Sequence, residues 1–150
     1  MKERDYADEV GTVLSQLGLT PAYGKLLGWL LVCDPPSQSS GQLAEALGLS
    51  KGSVSTGMRM LERAGLVQRV PAPGRGHAYQ MLPDALVRAT DPAAKHLMMR
   101  DLMDRGLAML GDDGSPRARR LRITRDFHGF IAERIPGLIE EFRHVHIRNT

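Results

Sequence analysis

Two helix starts and two helix stops are packed between Ser39 and Gly65, and that punctuation constrains the fold more than any other feature of the chain. Ser39, with Gln42 three residues on, makes a capping box in which each residue's side chain satisfies a backbone donor left open at a helix start. Leu43, Ala44 and Leu47 give this helix an apolar face, Gly48 can take the left-handed conformation that ends it, and Leu49 can fold back over Ala44. Ser50 then caps a second helix, whose Val54, Met58 and Leu61 recur at helical spacing. Gly65 ends it, with Leu66 closing on Leu61. Only Gly48-Leu49-Ser50 join the two helices, so the segment reads as a helix-turn-helix.

The residues behind it read as strand (Leu66–Val70), turn (Pro71–Gly76) and returning strand (His77–Leu82). Gly74 and Gly76 permit the reversal and leave Arg75 projecting between two residues without side chains. A hairpin directly after a helix-turn-helix is a wing. Both flanks are helical. Upstream, Tyr6, Val10, Val13, Leu14 and Leu17 follow helical spacing up to Gly18. Thr20-Pro21 then starts a helix carrying Leu26, Leu27, Trp29, Leu30, Leu31 and Val32, which Asp34-Pro35-Pro36 ends. Apolar on most sides, it suits a buried central position. Downstream, Asp84 to Leu110 is helix-forming with a break or bend at Asp91-Pro92. Ser115-Pro116 starts a last helix that Pro136 kinks or divides before it runs on to about His146.

The expected fold is therefore mostly α with a small β-hairpin wing. It comprises an N-terminal helix over 1–19, a winged helix-turn-helix over 20–82 and a C-terminal helical region over 83–150. In that last region Leu97, Met98, Leu102, Met103, Leu107, Met109 and Leu110 form one broad apolar surface. Phe127, Phe130, Ile131, Leu138, Ile139 and Phe142 form another. A winged helix cannot cover both, and apolar surface on that scale marks a partner. A second copy of the chain, joined through a self-complementary two-fold interface, is the simplest one.

Composition bounds the setting. At 150 residues, with 42% apolar and 25% charged residues, the chain has the make-up of an ordinary globular domain. No apolar run is long enough to span a bilayer, and the mixed-charge start Met1-Lys-Glu-Arg-Asp-Tyr is unlike a secretory signal. Cys33 stands alone, which suits a reducing cytoplasm. The net charge of +3 says little, but its placement says more. Over residues 51–82, Lys51, Arg59, Arg63, Arg69 and Arg75 face a single acid, Glu62, the footprint expected of a phosphate-binding surface.

Turning the second helix so that Val54 points inward places Gly52, Thr56, Arg59 and Arg63 on the opposite face, flanked by Ser53 and Ser55. A merely solvated face would favour Glu, Lys and Gln, because Ser, Thr and Gly are poor helix formers. A face that is small and polar at its start and basic further along suits a major groove about 12 Å wide. Gly52 permits close approach to the base edges, Ser53 and Thr56 can donate or accept, and Arg59 can clasp guanine with two hydrogen bonds. Lys51 and the open amides of the helix start suit a phosphate. Arg75 is placed for the minor groove or a phosphate, and Arg69 is a weaker candidate that either holds the backbone or only decorates its strand. Arg117, Arg119, Arg120, Arg122 and Arg125 point in several directions, which suits ion pairs across a dimer better than a DNA stripe.

The stretch Leu43-Ala-Glu-Ala-Leu-Gly-Leu-Ser-Lys-Gly-Ser-Val-Ser, followed by Leu61-Glu-Arg-Ala-Gly-Leu-Val-Gln-Arg-Val, resembles the multiple-antibiotic-resistance regulator (MarR) family. Pro21-Ala-Tyr-Gly-Lys-Leu-Leu-Gly-Trp-Leu-Leu-Val-Cys-Asp-Pro-Pro is similar to its GbsR-like branch, except that Lys25 stands where arginine is expected. The resemblance covers roughly residues 5–82, and the C-terminal helices match in layout only. It implies a cytoplasmic, triangular dimer joined by its terminal helices that binds a roughly palindromic double-stranded operator, often as a repressor released by a small-molecule effector. It also implies DNA contacts at Lys51, Gly52, Ser53, Ser55, Thr56, Arg59 and Arg75.

Other function classes have weaker support. No Gly-x-Ser-x-Gly, Walker loop or His-Glu-x-x-His is present, so neither an enzyme nor a cofactor is expected. A metal- or thiol-sensing regulator would need more than Cys33, which reads as a small buried hydrophobe at a helix end. His144 and His146 diverge on a helix, and His77, His96 and His128 lie on separate elements. A winged helix that binds protein instead of DNA is the remaining alternative. Tyr23 and Trp29 are the candidates for an effector pocket, where cation–π contact would suit a quaternary ammonium, but core packing is their first role, since any core needs such anchors.

Overall fold

Thr20 accepts a hydrogen bond from the Tyr23 amide at 3.2 Å, and Pro21 occupies the first helical position behind it. These two residues start the helix around which the N-terminal half is built. The structure, a computed structural model, describes residues 1–72, 74, 76–88, 92–111 and 114–147, with the side chains of Leu86, Arg88 and Pro92 also outside that description. The chain divides into two compact units, Met1–Thr90 and Asp91–Thr150.

In the first unit, α1 (Glu3–Ser15) packs along α2 (Pro21–Val32). Their contact is made by small residues. A Cβ on Gly24 would lie 2.6 Å from the Gly11 Cα, and one on Gly28 would lie 3.0 Å from the Ala7 Cα. The two backbones are so close that only Ala7 and Gly11 of α1 are fully buried. Val13 and Leu17, expected on the inner face, are 51% and 73% exposed because they lie outside this narrow seam. Likewise Leu31 and Val32, at the end of α2, are partly exposed.

The short strand β1 (Ser37–Gln38), which the sequence does not announce, leads into α3 (Ser40–Leu47) and α4 (Lys51–Arg63). Both capping-box bonds form: the Gln42 amide donates to Ser39 Oγ at 3.1 Å, and the Ser39 amide to Gln42 Oε1 at 2.8 Å. Gly48 takes φ 64°, the Leu49 amide bonds the Ala44 carbonyl, and Ser50 caps α4 by accepting from the Ser53 amide at 3.1 Å. At the far end Gly65 takes φ 71° and the Leu66 amide reaches the Leu61 carbonyl. Helix α4 is held from behind by α2 and α3, and Val54, Gly57, Met58 and Leu61 are buried. Strands β2 (Gln68–Pro71) and β3 (His77–Gln80) form the hairpin. β3 also pairs with β1, giving an antiparallel sheet in the order β1-β3-β2, with Arg69 opposite Tyr79 and Gln38 also opposite Tyr79. The core joins Leu26, Leu27 and Leu30 of α2 to Leu43, Leu47, Val54, Met58, Leu61, Leu66, Val67 and Tyr79.

After the short helix α5 (Ala85–Arg88), the second unit consists of α6 (Pro92–Leu110) and α7 (Pro116–Phe142), followed by a π-helical turn over Arg143–Ile147. Ser115 caps α7 through the Ala118 amide at 3.2 Å. Pro136 lies inside α7 without dividing it, since the helix runs on to Phe142. The two helices pack along their length, with Ala93, Leu107, Ala118 and Ala132 buried and Gly106 admitting Leu121 closely. Leu107 therefore belongs to the seam and not to an outer surface. Met98, Leu102 and Met109 of α6, and Ile123, Phe127, Phe130, Leu138 and Phe142 of α7, remain exposed. Among the described residues no helix is long and apolar enough to cross a membrane.

Candidate nucleic-acid interface

The same rotation that buries Val54, Gly57, Met58 and Leu61 turns the other side of α4 outward. Lys51, Gly52, Ser55, Thr56, Arg59 and Arg63 are all exposed, and Ser53 is half-buried. A Cβ on Gly52 would find nothing nearer than Ser50 Oγ at 4.0 Å, so the backbone at the start of the helix stands open. Ser53 Oγ accepts from Ser50 Oγ at 3.0 Å, which ties that hydroxyl to the cap. Arg59 reaches back to Ser55 Oγ at 3.5 Å, a long bond within one face, and forms no ion pair among the described residues. The outward surface thus carries three cations, the exposed hydroxyls of Ser55 and Thr56, and one bare stretch of backbone beside a helix N-terminus.

Beside this face lies a hollow of about 570 Å³ lined by Ser40, Gly41, Ala44, Glu45, Leu49, Lys51, Ser55 and Tyr79. Residues from α3, α4 and β3 meet there, so the first turn of α4 borders a concave and largely apolar surface. Tyr79 is 6% exposed, and its hydroxyl lies 3.2 Å from His77 Nε2 with the two rings edge to face.

The hairpin is tied to α4 through Arg69. Its Nε and Nη2 donate to the two carboxylate oxygens of Glu62 at 3.1 and 3.2 Å, a forked ion pair from β2 to the last turn of α4. The guanidinium also sits 5.9 Å from the centre of the Tyr79 ring. Hydrogen bonding and charge from Glu62 hold Arg69 firmly protonated. Of the residues around Arg69, Tyr79 was not singled out from the sequence, Glu62 stood there only as the one acid among the cations, and His77 only as a histidine on a separate element. Glu62 lies across a turn from Arg69, and only the strand register brings Tyr79 opposite it. Arg75, the other hairpin candidate, lies outside the described residues.

The remaining candidates fall elsewhere. Tyr23 is buried in the core, where burial pushes its phenol above the ordinary range. Trp29 packs against that core and donates from Nε1 to Gln38 Oε1 at 3.3 Å, anchoring β1. Both serve packing in this unit. Lys25 pairs with Asp8 at 3.4 Å between α2 and α1. Cys33 is half-buried at the end of α2, its thiol pushed up chiefly by burial. Of the arginines at 117–125, Arg125 pairs within its own chain, with Asp104 at 3.6 Å and Asp126 at 2.9 Å, where pairing across a dimer was the expectation. His96 and His128, unconnected in sequence, face each other across α6 and α7 with Nδ1 atoms 2.9 Å apart. Among the described residues no three of His, Cys, Asp and Glu gather closely enough to hold a metal ion. His146 stacks on Phe142.

Comparison with known proteins covers both units. Residues 17–76 match the model of the MarR family, and residues 84–145 match that of MmpR5-like MarR family transcriptional regulators. The HTH-type transcriptional regulator MmpR5 of Mycobacterium tuberculosis (strain ATCC 25618 / H37Rv) is 38% identical over 129 residues, spanning 85% of this chain and 78% of that protein. A solved crystal structure of a transcriptional regulator superposes with a TM-score of 0.83 at 34% identity, covering 95% of this chain and 98% of that one.

Proposed function

The chain belongs to the MarR family of DNA-binding transcriptional regulators, which are not enzymes, and from that premise we propose that it reads duplex DNA with the outward face of α4. In this reading the first turn of α4 enters the major groove, where Gly52 allows close approach, Ser55 and Thr56 offer hydroxyls and Arg59 takes guanine in a forked hydrogen bond. Lys51 and the open amides beside it hold a phosphate. Ser53 supports the cap, Arg63 adds charge along the groove, and Arg75 reaches the minor groove or the backbone beside it.

The observation that supports this most is the split of α4 into a side that buries Val54, Gly57, Met58 and Leu61 and a side on which Lys51, Gly52, Ser55, Thr56, Arg59 and Arg63 are exposed. MarR-family regulators bind DNA and act as dimers. The exposed apolar residues of α7, Phe127, Phe130, Leu138 and Phe142, are the surface through which we place the second copy. Residues 1–19 and 83–150 then flank a DNA-binding domain at 20–82. Two copies of α4 call for a two-fold-symmetric operator with half-sites about one helical turn apart. Cytoplasmic location and repression relieved by a small effector complete the reading, with Tyr23 and Trp29 as packing residues and not as an effector pocket.

A salt series on a duplex selected from a random pool tests it. Affinity should fall steeply with salt, because each neutralised phosphate releases condensed counterions. Arg59→Ala should cost about 1–3 kcal/mol and relax base preference, whereas Lys51→Ala should weaken all sequences alike. A uniform loss across sequences for Arg59→Ala would falsify its base-reading role.

A further inference from the structure

Of the five basic side chains over residues 51–82, four lie among the described residues, and the structure treats one of these four differently. Lys51, Arg59 and Arg63 project from α4 into solvent. Arg69 instead closes a forked pair on Glu62 and lies near the face of Tyr79, which is itself buried and bonded to His77. We propose that Arg69 is a positioning residue, not a DNA ligand: with Glu62 and Tyr79 it fixes the angle at which the hairpin leaves α4. The proposal rests on the reading of α4 as the recognition helix.

Between Arg63, the last residue of α4, and Gln68, the first of β2, the chain turns through Gly65 at φ 71°, a conformation with little intrinsic stiffness. Leu66 and Val67 are buried and anchor the turn. They fix where the hairpin begins and leave its rotation about that point to whatever else crosses the gap. The pair from Glu62 to Arg69 crosses it. Two parallel hydrogen bonds between planar groups restrict rotation as a single contact does not. Tyr79, opposite Arg69 in the strand register, carries the constraint across the hairpin to β3, and β3 is bonded in turn to β1. The pair is exposed at its Arg69 end and half-buried at Glu62, so its contribution to folding is small. Its consequence is geometric: a rotation of a few degrees at the junction displaces the hairpin tip, and with it any contact made there, relative to α4.

The two roles of Arg69 predict opposite couplings. A phosphate ligand must release Glu62 before it can act, so removing Glu62 frees it and makes Arg69 matter more. A positioning residue acts through Glu62, so removing Glu62 first leaves Arg69 little to contribute. The experiment measures affinity for the selected duplex, across a salt series, for the wild type, Glu62→Gln, Arg69→Gln and the double variant, with a thermal melt of each. Expected is a loss of about threefold to tenfold for Arg69→Gln in the wild-type background, shrinking to less than about twofold in the Glu62→Gln background. In the Glu62→Gln background the slope of log affinity against log salt should be unchanged by Arg69→Gln. A slope reduced by about one phosphate's worth in that background, or an Arg69→Gln loss there at least as large as in the wild type, overturns the proposal. Unchanged affinity with a lowered melting temperature overturns it as well, since the pair would then serve folding alone. Failure to recover any bound duplex refutes the reading of α4 instead, so the two failures are distinguishable.

Discussion

Gly52→Ala adds one methyl group to the outward face of α4 and changes nothing behind it. The new Cβ would lie 4.0 Å from Ser50 Oγ, ordinary van der Waals contact, with no other atom closer. Gly52 is the second residue of α4 and has no positive φ, so alanine fits its backbone. The folded chain should gain about 0.4–1 kcal/mol, because alanine gives up less freedom on folding. Gly41→Ala is the matched control. Gly41 is the second residue of α3, and its added Cβ would lie 3.9 Å from Ser39 Oγ. Both variants should therefore melt slightly above the wild type. Only Gly52→Ala should bind DNA less well. If base edges approach the backbone there, the methyl fills space the interface has already closed, a penalty comparable to overpacking an interior. That is about 1–3 kcal/mol per recognition helix, a factor of roughly fivefold to 150-fold for each of the dimer's two helices. Fluorescence anisotropy with a labelled duplex, run beside thermal melts of both variants, reads the two effects separately. If Gly52→Ala binds as tightly as Gly41→Ala and the wild type, the start of α4 does not approach the bases and the proposed docking is wrong.

Two further outcomes follow from other parts of the chain. Phe127→Lys places a charge on the exposed apolar side of α7, where Phe127 is 57% exposed, and should shift the protein from dimer to monomer while helicity is retained. An unchanged sedimentation coefficient at equal concentration would count against that surface as the interface. Cys33 has its thiol pushed up by burial, so the folded chain should react with iodoacetamide more slowly than the unfolded chain at the same pH. A folded-state value above the unfolded one contributes stability that is complete below the ordinary thiol range and is lost as pH rises through it. Labelling at equal rates in both states would remove the basis for that pH dependence.

What the sequence disclosed and what it withheld divide by range. Ser39 with Gln42, Gly48, Ser50 and Gly65 each act within a few residues, and each does in the structure what its chemistry implies. The outward face of α4 was legible for the same reason, since locating the buried side of a helix locates the other. Contacts set by distant partners left no such signal. β1 is two residues long and exists only through its pairing with β3. The seam between α1 and α2 was misjudged because apolar periodicity weights Val13 and Leu17, whereas the contact is made by Ala7, Gly11, Gly24 and Gly28, which bring little side chain and so let the backbones meet. The forked pair of Arg69 left no local sign, because its carboxylate partner Glu62 lies on the preceding element.

Helix α4 shows why a small residue must be read by the side it occupies. Gly57 lies on the buried side, and a Cβ there would collide with Leu26 Cδ1 of α2. Leu26 is fully buried in the core and has no solvent to swing into. Gly57→Ala gains about 1 kcal/mol of helix propensity in the middle of α4 but forces Leu26 or the whole helix to move, a displacement costing about 1–3 kcal/mol. The expected result is a net loss of stability of up to about 2 kcal/mol, opposite in sign to Gly52→Ala on the same helix. Pairing it with Leu26→Ala separates cause from coincidence. Leu26→Ala alone opens a cavity in the core, and the Gly57 methyl would partly fill it, so the double variant should be more stable than the sum of the two single losses by at least about 0.5 kcal/mol. Additive losses in chemical denaturation would mean that Gly57 and Leu26 do not share the space the structure gives them, and that α4 is held against α2 by something other than this contact.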